Sequence, residues 1–500
     1  MRQALHIFRK DVRHLWGEIS LALAITAAFT FIGTRQAFWL SDPRANRNVA
    51  WMMATILLPL AWAILVERAI HAETLPGSRQ FWITRPYKWT SLLGAKVLFA
   101  AVFVNLPLLI ADVIILRAFG FNIETQISGL LWTQVLLVAV FLLPVGALSA
   151  VTTGFAEMLS ISLVFLVLVL VWNIAAPARV LGAIWGPLDW IPAYYAMLVT
   201  VGAALVILIW QYKRKGTWIA LSVAAAAAVC AIGGSALSPW TTAFAIQSRL
   251  NKQQVNAGAI HVGFDANKKW LAHALVDKDE PVEIDLPLEI TGIPAGMEPR
   301  PDGAIATIEA PDGTVWRTER QPWEHAASEA DIVSLRTEVA AAFYRKIKNE
   351  PVKIRGILYF TLYGNPRTSR ILFGGGPVPA AGMGLCSASQ SGQGRTSFLL
   401  CSSAFRAKPD LVSIRFVEAG KNTYEVRAAR GPLRRISYSP FPAEVSMSPV
   451  SQYFTYRVSA QPLSEVVIDS VEPLTHEQRE FEIDKLRLSD FEVGLGTGRR

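Results

Sequence analysis

Few residues in this sequence have both the type and the spacing to do chemistry. Histidine is the most versatile acid–base and metal-binding side chain, and the seven present are scattered. His476-Glu477 opens like a helical zinc pair, but Gln478, Arg479 and Glu480 follow, so no second histidine falls one turn on. Gly233-Gly234-Ser235 offers a serine in a small-residue setting, yet no apolar stretch carries a histidine to serve as its base. Small residues in such a stretch serve close helix packing instead. Asp112 is the best-placed ionisable group within an apolar stretch. Such groups are functional candidates by default. Because Asp112 lies near the end of its stretch, it is expected to snorkel or to be satisfied by its own helix. No glycine-rich phosphate loop ending in Gly-Lys-Ser/Thr occurs. The reading is therefore of a chain with no catalytic residue, no metal ligand and no cofactor of its own.

Two other segments carry recognisable physical signals. In residues 1–18, Leu5, Phe8, Val12 and Trp16 recur three or four apart and share one helix face, while Arg2, Arg9, Lys10 and Arg13 supply a basic surface. This pattern predicts an amphipathic helix lying in a membrane interface. The second segment reads ERAIHAETLPGSRQFWITRPYKWTSLLGAK. A Pro76-Gly77 turn separates a short helix from Arg79–Trp89, which mixes Phe81, Trp82, Tyr87 and Trp89 with Arg79, Arg85 and Lys88. Aromatics and arginine are the residues that protein interfaces enrich. An aromatic belt in the headgroups is the plainer alternative.

The elements that must hold these segments follow from composition. The chain has 500 residues, 52% hydrophobic and 17% charged, against about a quarter charged in soluble globular proteins. Residues 1–250 carry 18 Lys+Arg and 9 Asp+Glu; residues 251–500 carry 30 of each. The excess positive charge thus lies wholly in the apolar half, which points to membrane-flanking loops rather than nucleic acid. Seven stretches approach the roughly 20 apolar residues needed to cross the hydrocarbon: 19–40, 49–66, 91–116, 129–150, 158–176, 193–211 and 217–237. With the N-terminus inside, twelve Lys and Arg fall in cytoplasmic loops, Lys213-Arg214-Lys215 among them, and five on the other side. That bias sets the orientation and sends everything after residue 238 out of the cytoplasm.

Residues 238–500 read as a mainly β extracytoplasmic domain. VEIDLPLEITGI alternates apolar and polar residues, and Pro-Asp-Gly turns at 301–303 and 311–313 bracket AIATIEA. KIRGILYFTLYG, SRILFGG, DLVSIRFVEAG, NTYEVRAA, QYFTYRVSA and EVVIDSV complete a set of short strands typical of sandwich-like modules. A helix is expected at 328–347, where Ile332, Leu335, Val339 and Phe343 recur. The Gly/Pro-rich segment at 370–380 is either a boundary between two modules or a long loop. Cys386 and Cys401 flank SASQSGQGRTS and suit a disulfide across a hairpin in an oxidising compartment; the alternative is two free thiols. The architecture expected is therefore an interfacial helix at 1–18, a bundle of about seven transmembrane helices at 19–237, and the β domain.

The segment FWITRP, followed about ten residues later by LLGAK and preceded by a basic amphipathic helix, resembles the permease subunits of ABC-2-type transporters. The resemblance covers residues 1–215. It implies an inner-membrane subunit that works with a separate cytoplasmic ATPase, which binds the ATP, and with a second permease subunit in a homo- or heterodimer. It assigns coupling to the ATPase to Glu73, Arg79, Phe81, Trp82, Arg85 and Pro86. The seventh helix and the outer β domain depart from the six core spans of that family. The competing expectation is a membrane-anchored binding or sensory protein in which the β domain is the working part.

Overall fold

The computed structural model describes residues 2–493 apart from 37–55, 73–87, 176–187, 189, 215, 238–239, 252–258, 265–271, 274–281, 319–320, 323–332, 391–396, 406–410, 419–422, 428–448 and 459–462. Helix α1 (Arg2–His14) is followed by α2 (Trp16–Gln36), α3 (Leu58–His71), α4 (Trp89–Ala118), α5 (Ile123–Val151), α6 (Phe155–Ala175), α7 (Trp190–Arg214), α8 (Thr217–Leu237) and α9 (Trp240–Arg249). Among the described residues, α2, α4, α5, α7 and α8 are long and apolar enough to cross a membrane. The described residues of the seven expected stretches are all helical; at the start of α6, Phe155–Val164 stands as a shorter apolar helix.

These helices bury one side and show apolar side chains on the other. Phe29, Trp62, Leu65, Phe99, Leu108 and Ile115 form the centre of the bundle. Trp218 is 84% exposed and Val229 71% exposed on α8. A helix that is hydrophobic all round belongs in an apolar medium. Helices α4 and α5 each contain a π turn, at Ala101–Asn105 and Leu137–Leu142, and each is followed at once by a proline, Pro107 and Pro144. A proline within a helix has no N–H and crowds the carbonyl one turn back, so the wide turn absorbs the misfit.

The C-terminal half is β-rich. Its seven-stranded sheet runs β13-β12-β15-β8-β4-β5, with β6 also on β4. The strands are β4 (Glu298–Glu309), β5 (Val315–Arg317), β6 (Gln321–Pro322), β8 (Val352–Leu372), β12 (Leu411–Glu418), β13 (Thr423–Arg427) and β15 (Leu463–Leu486). A four-stranded sheet runs β14-β11-β10-β9, from β9 (Val378–Ala380), β10 (Gly384–Gln390), β11 (Ser397–Ala404) and β14 (Val450–Val458). A third sheet joins β1 (His261–Phe264), β3 (Val282–Thr291) and β7 (Val333–Val339), and β2 (Ala272–His273) pairs in parallel with β16 (Glu492–Val493). Strands β8 and β15 pass through two cores. Ile354, Leu358, Phe360, Phe481 and Ile483 lie in one, and Ile371, Val466 and Ile468 in the other. The change falls where the ladder shifts register, around Asn365 (φ 54°) and Glu472–Thr475.

Three local expectations are corrected. Of the helix expected at 328–347, the described residues 333–347 form strand β7 followed by the short helix α10 (Ala341–Ile347). Val333, Leu335 and Val339 stand at alternate positions opposite Leu288, Leu286 and Val282, so the strand period wins over the helical one. Pro301–Gly303 is not a turn but a bulge inside β4, which carries Asp302 into the interior. KIRGILYFTLYG and SRILFGG are one strand, β8. The turn at Pro311–Gly313 is present, with Gly313 at φ 80°. Cys386 and Cys401 form a disulfide. They face each other across β10 and β11 with Cα atoms 4.0 Å apart.

Candidate functional site

Glu73, Arg79, Phe81, Trp82, Arg85 and Pro86 lie outside the described residues. The structure does show how the chain reaches them. Helix α3 ends at His71, two residues before Glu73. His71 Nδ1 lies 2.6 Å from Glu67 Oε1, one turn back on the same helix. Its Nε2 lies 2.8 Å from the Ser149 carbonyl and 2.9 Å from the Thr152 carbonyl, at the C-terminal end of α5. Two carbonyls can only accept, so Nε2 carries a hydrogen and donates it. The last carbonyls of a helix have no partner within it, and His71 fills that need. The end of α3 is thereby pinned to the end of α5.

At the same end of the bundle, α1 packs on α4. Asp11 Oδ2 lies 2.7 Å from Lys96 Nζ, and both side chains are buried. Phe8 stacks on Phe103 with ring centroids 5.9 Å apart and meets Phe99 edge-on at 6.4 Å. The expected face of α1 is divided. Phe8 and Val12 pack against the bundle, whereas Leu5 is 44% and Trp16 71% exposed. The helix buries Ile7 and Asp11 instead. The partner of Asp11 lies 85 residues away and could not be seen from either segment alone. A lysine inside an otherwise apolar span, Lys96, was the available signal.

Asp112 does not snorkel. It is 1% exposed, and neither carboxylate oxygen has a hydrogen-bond partner among the described residues. Nearby polar groups on the same helices, Asn105 and Gln134, pair with each other at 3.1 Å. No group of His, Cys, Asp and Glu among the described residues could hold a metal ion.

The β domain sits on the opposite end of the bundle in two places. In the first, Phe405 and Val450 enter the helical core beside α5, where Gly129 makes room for the Phe405 ring. Phe405 stands at φ 57° and its N–H is held by the Pro449 carbonyl. In the second, α7 and α9 meet the long strands. Trp240 and Phe244 pack on Tyr359, with ring centroids 4.5 Å and 4.9 Å from it. Beside them a chain of buried polar groups runs Trp190, Gln247, His476, Thr361 and Asp302. Asn251 holds the backbone of His476 on both sides, accepting from its N–H at 2.9 Å and donating to its carbonyl at 3.3 Å. His476 stands on strand β15 rather than on a helix, and its role and that of Gln247 were not visible in the sequence because their partners come from separate elements.

No family model and no curated protein matches the sequence. Among solved structures, the chain is similar to the serine-rich repeat protein Srr2 of Streptococcus agalactiae at 10% identity, over 48% of this chain and 95% of that one, with a TM-score of 0.08.

Proposed function

We propose that this chain is the membrane-spanning subunit of a transporter of the ABC-2 permease type, driven through residues 73–86 by an ATPase on another polypeptide. The observation that carries this reading is the anchorage of that segment's root. His71, held from its own helix by Glu67, ties the end of α3 to the end of α5 through two short contacts. A push on residues 73–86 would then reach two helices of the bundle at once, which suits a rigid-body rocking motion. The Asp11–Lys96 pair fixes α1 to α4 at the same end, so a helix lying along the inner leaflet would move with the bundle. Cargo would pass between two such subunits, beneath the β domains seated at the far end.

The test is co-purification from native membranes. Arg85→Glu and Trp82→Ala are each expected to abolish recovery of the ATPase while the chain still inserts and folds. Recovery of an ATPase at the wild-type level with both variants removes the assignment of the coupling residues. Protease protection that placed residues 73–86 on the outer surface would overturn the reading itself.

A further inference from the structure

The buried polar chain between α7, α9 and the β domain has a direction set by chemistry. An indole nitrogen only donates, so Trp190 Nε1 gives its hydrogen to Gln247 Oε1 at 3.0 Å. The Gln247 amide nitrogen also only donates, and it stands 3.0 Å from His476 Nε2. That ring nitrogen must therefore accept. The ring hydrogen sits on Nδ1 and goes to Thr361 Oγ1 at 2.7 Å, and the Thr361 hydroxyl donates to Asp302 Oδ2 at 2.7 Å. Every donor meets an acceptor only if His476 is neutral. All five residues are less than a tenth exposed, and the Trp240, Phe244 and Tyr359 rings pack alongside.

We propose that this relay is a proton-operated latch: neutral His476 seats the β domain on α7 and α9, and protonation of His476 releases that seat. The new N–H at Nε2 would face the Gln247 amide donors. Turning the amide over would present its oxygen to His476 but its NH2 group to Trp190. One buried donor is left unmet either way, and a buried unmet donor is costly.

Among the described residues, polar and charged groups face the ring from several packed elements. Helix α9 presents the neutral Gln247, the stretch just after it presents the neutral Asn251, and β8 presents Thr361. From β4 comes Asp302, whose Oδ2 is 4.0 Å from Nδ1. On β15 itself, Glu477 and Arg479 pair with each other at 3.0 Å. Asp302 would draw a charged ring deeper into the sheet and away from Gln247, in the releasing direction. Histidine is the side chain whose protonation most readily serves as a switch, so acidification is the perturbation that probes the latch. This inference does not depend on the chain's being a transporter.

Hydrogen exchange of Trp240–Arg249, read in the full chain in lipid nanodiscs and corrected for the intrinsic pH dependence of amide exchange, tests it. On passing from about pH 7.5 to about pH 5, wild-type protection of this helix is expected to fall about tenfold, the change expected for a coupling of one pKa unit. Gln247→Glu offers an acceptor to both Trp190 and a protonated His476, so its protection should hold or rise on acidification. His476→Asn keeps a donor towards Thr361 and removes the titration, so its protection should not respond. Unchanged wild-type protection overturns the proposal, as does an equal fall in all three proteins.

Discussion

Phe405 of the β domain occupies the space that a side chain on Gly129 would need. The two residues are 276 positions apart, and the ring enters the helical core beside α5 because glycine has no Cβ there. The hydrophobic term for burying one aromatic side chain is about 1.5–3 kcal/mol. An apolar helix long enough to span a membrane and the β domain therefore share a piece of core, and the seat is a packed joint rather than a tether.

Gly129→Leu should push the ring out and lower the thermal stability of the detergent-solubilised chain, since overpacking costs about 1–3 kcal/mol. Phe405→Ala should also destabilise, through the cavity it leaves. The double variant should be more stable than the sum of the two losses predicts, because the new side chain fills the space the ring vacates. Strict additivity in the melting curves would show that the two residues do not share that space.

Asp11 and Lys96 make a different kind of joint. Both are buried and 2.7 Å apart, and Asp11 Oδ1 has no hydrogen-bond partner among the described residues. Removing one member of a buried ion pair typically costs about 3–5 kcal/mol, because the other charge is left without compensation. Lys96→Met should therefore harm folding more than the double variant Asp11→Leu/Lys96→Met, which removes both charges. Expression and melting temperature of the two proteins in the same detergent decide this, and equal damage would count against a coupled pair.

The broad plan could be read from the sequence because it rests on local signals. Runs of apolar residues marked the helices, and alternation marked β3, β4 and β12. The cysteine pair was legible because a Gly/Ser-rich stretch between two apolar runs is what a hairpin needs. Other features were hidden for one shared reason. Val333–Val339 has residues compatible with either period, and pairing with β3 decided between them. Asp302 sat in a turn motif that the sheet converted into a bulge. Glu67, His71, Gln247 and His476 acquire meaning only from partners on other elements. Asp112 was expected to snorkel or to be satisfied by its own helix because its position along the helix was visible and the side it faces was not.

The disulfide lies inside the second core, where both cysteines are fully buried. Thiol-reactive probes should leave Cys386 and Cys401 unlabelled in the folded, non-reduced chain, and label them only after reduction. The bridge closes a loop with a sequence separation of 15, for which the chain-entropy model gives about 3 kcal/mol. Cys386→Ser/Cys401→Ser should lower the stability of the β domain by an amount of that order. Immediate labelling without reductant would exclude the bridge.

The exposed ladder on β8 and β15 gives the β domain a pH dependence with a definite sign. Lys353 bonds Glu482 and lies 3.2 Å from Asp484, and Arg355 Nε lies 3.1 Å from Glu482. Hydrogen bonds from Lys353 and then Arg355 hold the Glu482 carboxyl below its ordinary value of 4.5, and the bonds to Glu482 and Asp484 raise Lys353 above 10.5. A depressed carboxyl contributes stability that is complete above its unfolded-state value and is lost as the pH falls through the folded one. A raised lysine contributes stability that is complete below its unfolded-state value and is lost as the pH rises through the folded one. The ladder should therefore support the domain between these limits and fail outside them. These groups face solvent, so the contribution is small and screened. Raising the ionic strength from about 0.1 M to about 1 M shortens the screening length from about 10 Å to about 3 Å. The difference in melting temperature between wild type and Glu482→Gln should thus be present at neutral pH, shrink below pH 4.5, and shrink again in high salt. A difference that survived both changes would assign Glu482 to packing rather than to charge.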